Sequence, residues 1–294
     1  MTGEVYALLA AAAYGVAGVT IVRSKASARG DNGVFLSVVA TAALTWALWF
    51  GWGEVPARTL LAPESRQALV IFALAGLFST VLGRVTMYRA TERIGAVRAS
   101  LLRRLTPVFA LLCALVLLAE VPDARTIIGG AIILAGVMCY WQRPRRRTGP
   151  GFDPGLLLGI GSAFFYALAY TMRSLGLDTL PDAAFGTFIG ALVGSLWFFG
   201  AAVVRRGPRA GVGHLLRDHG RWHCATALAL SVGQTLQFFA LKSAPVSIVA
   251  VLGTLEVFFS AGLVMVFAHS EPIPRKRLAL AATTAAAGTA ILFA

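Results

Sequence analysis

Three arginines and one glutamate stand where a chain of this composition least accommodates charge. The stretch Leu101 to Glu120, LLRRLTPVFALLCALVLLAE, puts Arg103 and Arg104 at the head of an apolar run, and LGRVTMYRA puts Arg84 inside another. A charged side chain near the centre of a bilayer costs a few kcal/mol or more, so such arginines pair, snorkel to the head groups or hold a ligand. Successive residues on a helix are about 100° apart, so at most one of Arg103 and Arg104 is expected to face an interior cavity. Pro107 removes a backbone hydrogen bond beside the pair and is expected to open the helix there. Glu256 is the one carboxylate deep in an apolar run. It must take up a proton or find a cation, which makes it a candidate for gating or proton coupling; the plainer reading is a neutral acid bonded to a neighbouring helix.

Other polar groups fall on helical spacings. Thr80, Arg84 and Tyr88 lie at i, i+4 and i+8, a stripe suited to an anionic or zwitterionic ligand unless Arg84 snorkels. Gln234 and Gln237, one turn apart, either bind substrate or join helices. Tyr14, Tyr166, Tyr170 and Trp49 are candidates to line a cavity, with core packing or interface anchoring as the alternative. His219 and His223 at i and i+4, with Cys224 adjacent, have a metal-binding spacing, but they begin an apolar run beside basic residues, where an interfacial belt is expected instead. Cys113, Cys139 and Cys224 show no C-x-x-C spacing, and no metal or cofactor is expected. The GIG at 159–161 follows no strand and reads as helix packing.

The elements that must position these residues follow from composition. With 57% hydrophobic and 13% charged residues and a mean hydropathy of +0.75, the apolar side chains exceed what one soluble core holds. Ten apolar segments of near-spanning length can be marked, at about 3–22, 33–52, 68–88, 96–118, 125–142, 155–173, 183–203, 223–241, 246–268 and 277–294; a bilayer needs ~20 residues. The N-terminus lacks a basic region ahead of its apolar run, so the first span is expected to be retained. Eighteen Lys and Arg flank alternate connections, starting with that between spans 1 and 2, and five flank the others, counting Arg173 among the five. That bias predicts both termini in the periplasm and the linker in the cytoplasm of a bacterial-type inner membrane. It also explains the net charge of +13 without nucleic acid as a partner, because the basic residues sit between spans.

The chain repeats itself at an offset of 150 residues. AYGVAGVTIVRS (13–24) meets AFFYALAYTMRS (163–174), LGRVTMYRA (82–90) meets VGQTLQFFA (232–240), and LTPVFALLCALV meets LEVFFSAGLVMV. The division is a five-helix repeat at 1–142, a basic linker at 143–154 and a second five-helix repeat at 155–294. Five is odd, so the second repeat is expected to enter the membrane inverted. The fold class expected is all-α, ten transmembrane helices in two inverted repeats around a central cavity, a plan typical of secondary transporters that bind near the midplane. A monomer suffices for it. The rival class is a lipid flippase or an intramembrane lipid-modifying enzyme with arginines on phosphates; against the enzyme, no span carries a paired acid set or a His-Asp-Ser grouping.

The residues AAAAYGVAGV, YRATERIGAVRASLLRRLTPVFALLCALVLLAE and IIGGAIILAGVMCYW resemble the ten-helix EamA-type exporters of the drug/metabolite transporter superfamily, across nearly the whole chain. Tyr88, Ala90, Pro107, Val108, Phe109 and Glu120 fill that family's pattern in the first half, and Phe238, Ala240, Phe258, Phe259 and Glu271 in the second. Glu256-Val257 departs from it, standing where the first half has Thr106-Pro107. The resemblance implies export of a small molecule such as an amino acid by alternating access, without enzymatic activity.

Overall fold

The computed structural model describes residues 2–56, 63, 65–94, 99, 102–139, 153–267 and 275–293, and every regular element among them is a helix. The linker expected at 143–154 falls almost wholly outside these residues, as does Glu271. The spans are α1 (Gly3–Lys25), α2 (Val34–Trp52), α3 (Ser65–Gly76 running on through Leu77–Gly83 and Arg84–Ile94), α4 (helical at Leu102 and Arg103, then Thr106–Leu118), α5 (Ala124–Cys139), α6 (Pro154–Thr179), α7 (Ala183–Arg206), α8 (Arg221–Ser243), α9 (Val246–Gly253 and Glu256–Phe267) and α10 (Arg275–Phe293). A short helix, Pro208–Leu215, precedes α8. Among the described residues, seven spans are long and apolar enough to cross a membrane, and the described apolar stretches of α4, α5 and α10 are shorter.

Small residues set the packing, because helices in lipid associate by close contact rather than by expelling water. Most of the buried face of α1 is made of small residues, Gly3, Ala7, Ala10, Ala11, Gly15 and Ala17, with Thr20, Ile21 and Ser24 completing it. At the crossing of α3 and α7, a Cβ on Gly76 would lie 2.4 Å from Gly190 Cα, so the two backbones touch and only glycine fits.

The contacts obey the repeat. α1 packs on α8 and α9, and its counterpart α6 packs on α3 and α4; α2 pairs with its own counterpart α7, and α5 with α10. These counterpart pairs run antiparallel. Trp49 meets Phe185 and Phe188 while Val38 lies against Gly194, and Gly136 faces Ala281 and Ala285 while Gly288 faces Gly129 and Ile133. The two repeats are therefore inverted.

Carboxylates tie the halves together at both ends. Asp218 accepts the backbone N–H groups of Arg29, Gly30 and Asn32 at 2.7–2.9 Å. Burial alone would raise its pKa, but the N–H groups of Arg29, Asn32 and Gly30 outweigh it and hold the carboxyl below the usual range. Nearby Asp31, which accepts from Gly33 and Phe35 at the start of α2, is pushed up to about 6, chiefly by burial. At the opposite end Asp182 caps α7 through Phe185 N and accepts from Glu54 and Val55. Glu120 at the end of α4 accepts from Val246 N and Ser247 N, placing negative charge at the positive end of α9.

Candidate functional site

Helices α4 and α9 are interrupted at positions the repeat makes equivalent. Leu105 N bonds to Leu102 O, and 150 residues on Leu255 N bonds to Leu252 O, both at 3.0 Å. These bonds span three residues where an α-helix spans four, so each helix tightens for one turn before resuming at Thr106 or Glu256. In α4, Pro107 sits in the first turn of the resumed helix, where a missing N–H is tolerated. In α9 there is no proline, and Thr254 caps the break by donating its hydroxyl to Val251 O at 2.7 Å.

The two breaks face a cavity lined by Arg103, Arg104 and Thr106 from the first half and Gly253, Thr254 and Glu256 from the second, with Tyr14 and Tyr170 across from them. Each of the first three residues is the repeat counterpart of one of the second three, so the cavity lies on the pseudo-two-fold axis. It encloses about 390 Å³ of empty space, its open mouth included. Gly15 lets α1 approach here, since a Cβ on it would meet Glu256 O at 3.0 Å and Phe259 Cβ at 2.6 Å.

Arg103 and Glu256 form a two-point ion pair, Nη1 to Oε1 at 3.1 Å and Nη2 to Oε2 at 3.2 Å. The guanidinium also stands 5.5 Å from the centre of the Tyr166 ring, a cation–π distance. Both Arg103 and Arg104 line the cavity, contrary to the expectation that only one would. The reason is the break, because the 100° rule assumes a regular helix and the backbone tightens at Arg104–Leu105.

Arg84 is 2% exposed and donates to Ser37 Oγ and Gln234 Oε1, each at 2.7 Å. It does not snorkel. Gln234 is its repeat counterpart, so this bond also crosses the axis. The expected Thr80–Arg84–Tyr88 stripe is broken, because Leu77–Gly83 is a π-helix, whose wider turn changes the facing of Thr80 relative to Arg84. Thr80 packs against Gly194, and Tyr88 is buried in an apolar cluster with Ala17, Ile21 and Leu230, outside the cavity wall. Trp49 is also outside it: the indole packs on Phe185 and Phe188 and donates to Val55 O at 3.1 Å. Tyr166 lies behind Arg103, its hydroxyl directed at Met87 Sδ. His219 is exposed and bonded to Leu216 O, whereas the His223 ring is buried against Gly33.

One residue was missed. The sequence placed Arg173 in a connection, but α6 continues to Thr179, leaving Arg173 inside the span and 1% exposed. Its Nη1 donates to Gln237 Oε1 at 2.7 Å, the same oxygen that accepts from the Tyr14 hydroxyl at 3.3 Å. The Phe238 ring lies 4.6 Å from the guanidinium. A signal was available: Tyr166, Tyr170 and Arg173 recur at i, i+4 and i+7 on one face.

Two inverted five-helix repeats with interrupted helices meeting at a polar cavity define a membrane transporter of the inverted-repeat class. The family is also shown directly. The chain belongs to the EamA-like transporter family, whose model matches residues 1–141 and 153–294. Among nineteen matching chains of solved structures, one described only as "Crystal structure of protein" has a TM-score of 0.71 at 17% identity, over 99% of this chain and 95% of that one, a similarity of fold. No curated protein matches the sequence. The protein is thus a multi-pass membrane transporter of small substrates.

Proposed function

We propose that the protein is a secondary transporter that exports a small polar metabolite across the cytoplasmic membrane by alternating access, with both termini in the periplasm. The observation that carries this reading is the cavity on the pseudo-two-fold axis, where Arg103, Arg104 and Thr106 meet their counterparts Gly253, Thr254 and Glu256. A site on such an axis has equivalent paths to either side, so exchanging the conformations of the two repeats opens it alternately. The interrupted helices supply flexible joints at the level of the site, and the Arg103–Glu256 pair bridges them. In this reading Glu256 and Arg103 form a gate that substrate or a proton releases, and Arg84, Gln234 and Gln237 complete the binding layer behind it.

The test is transport in proteoliposomes holding the purified protein, with pooled amino acids, nucleotides and organic phosphates. Uptake that depends on the protein and falls at least tenfold in Arg103→Ala is the expected result. Absence of movement of every pooled compound, in counterflow as in net uptake, would overturn the reading.

A further inference from the structure

Within that reading we infer that the substrate is a net anion, recognised through carboxylate or phosphate oxygens, and that Gln234 and Gln237 are positioning residues that keep two arginines charged and uncompensated for it. The inference rests on the transport reading only for the word substrate; as a statement about binding it stands separately.

Three arginines, Arg84, Arg103 and Arg173, have Glu256 as the one carboxylate bonded to any of them among the described residues. Glu256 accounts for Arg103. Arg84 and Arg173 are almost wholly buried, yet their acceptors are neutral: Gln234 and Ser37 for one, Gln237 for the other. A guanidinium has only donors, so each glutamine must present its oxygen. A buried charge is ordinarily matched by an opposite charge, since the alternative costs several kcal/mol. A glutamate in place of either glutamine would make the same hydrogen bond and cancel the charge. The glutamines fix the direction of the guanidinium groups and leave their charge in place.

The unmet hydrogen-bonding capacity points the same way. Arg84 Nε, Arg103 Nε, Arg173 Nε and Gln234 Nε2 are buried with no partner among the described residues. All four are N–H donors, and what satisfies a set of donors beside net positive charge is an anionic oxygen. Tyr14 ties this layer to the cavity, because its ring lines the cavity and its hydroxyl shares the Gln237 oxygen with Arg173. A cation would meet repulsion from every charged group here but Glu256. A zwitterion would leave the excess positive charge unanswered.

The experiment is thermal unfolding of the full-length protein in an uncharged detergent, at fixed ionic strength with chloride as background. The probes are malate and glycerol 3-phosphate as anions, glutamine as a zwitterion, putrescine as a cation, and phosphatidylglycerol as an anionic lipid. An anion raises Tm in a saturable way, while glutamine and putrescine do not. Gln237→Glu and Gln234→Glu each raise the half-saturating concentration at least tenfold. Glu256→Gln lowers it at least fivefold, because the anion no longer competes with the carboxylate for Arg103, and a gain of affinity cannot come from misfolding. Response to malate or glycerol 3-phosphate assigns a soluble substrate; response to phosphatidylglycerol alone assigns a lipid head group; both support the anion. Equal stabilisation by glutamine or putrescine, no shift with any anion, or weaker anion binding in Glu256→Gln overturns the inference. A protein that binds anions as described but moves none in counterflow keeps the site and loses the transport reading. Movement of glutamine without anion binding does the reverse.

Discussion

The Arg103–Glu256 pair gives the most direct energetic prediction. Two N–O contacts of 3.1 and 3.2 Å join side chains that are 20% and 13% exposed, so the pair is neither a surface pair worth under about 1 kcal/mol nor fully dry. Unit charges this close attract by about 4 kcal/mol at an effective dielectric constant of 20, and desolvation offsets part of that. The net coupling expected is about 2 kcal/mol, or roughly thirtyfold in an equilibrium constant. Glu256→Gln alone would overstate it, because Arg103 would be left buried without a counter-charge. The proper perturbation is a double-mutant cycle of Glu256→Gln and Arg103→Gln, read by reversible unfolding in mixed micelles. The two single variants should each lose stability, and the double variant should recover about 2 kcal/mol relative to their sum. A coupling under about 0.5 kcal/mol would mean that the pair does not bridge α4 and α9 in solution, and the gate would have to be sought elsewhere.

Three further outcomes test other levels of the structure. Asp31, raised to about 6 mainly by burial, binds more protons folded than unfolded between about pH 4 and 6, so it makes stability fall as pH rises through that window. Asp31→Asn should flatten that part of the profile by about 1–2 kcal/mol after screening, as seen in thermal unfolding from pH 4.5 to 8; an unchanged slope would contradict the assignment. Gly76→Ala forces a Cβ to within 2.4 Å of Gly190 Cα and should cost about 1–3 kcal/mol by overpacking, whereas Gly200→Ala, with nothing within 4 Å, should lose none. Equal thermostability of the two would refute the α3–α7 crossing. The charge bias predicts a periplasmic C-terminus, so a fluorescent protein that matures only in the cytoplasm should stay dark when fused there, and full brightness would reverse the topology.

Much of the fold was legible because lipid imposes it: span lengths, the 150-residue offset and the odd helix count require the inverted plan whatever the individual contacts are. Arg103, Arg104 and Glu256 were legible for the same reason, as charges in apolar runs. Arg173 was not, since a charge near the apparent end of a span reads as a connection, and only the length of α6 shows otherwise. Trp49 and Tyr88 were misplaced because aromatic type does not say which face a helix buries, and rotation about the axis is a tertiary property. The π-turn at Leu77–Gly83 has no sequence rule of comparable strength, so the facing of Thr80 relative to Arg84 was out of reach.

Several places where the repeat fails line the cavity or the polar layer beside it, and symmetry explains why. Residues related by a two-fold axis meet their own counterparts only where the axis passes between them, and there an identical pair brings two copies of one group together. Two arginines at 84 and 234 would put like charges in contact; the chain has Arg84 and Gln234, bonded at 2.7 Å. Two glutamates at 106 and 256 would repel each other across the cavity; the chain has Thr106 and Glu256, and the acid is left free to meet Arg103. At 104 and 254 it has Arg104 and Thr254, again one charged and one neutral. Away from the axis no such constraint acts, and some packing residues are identical in the two halves, such as Ala90 with Ala240 and Ala13 with Ala163. In this chain the charged-to-neutral departures deep in the spans, at 84/234, 103/253, 104/254 and 106/256, fall beside the axis and the polar cavity on it.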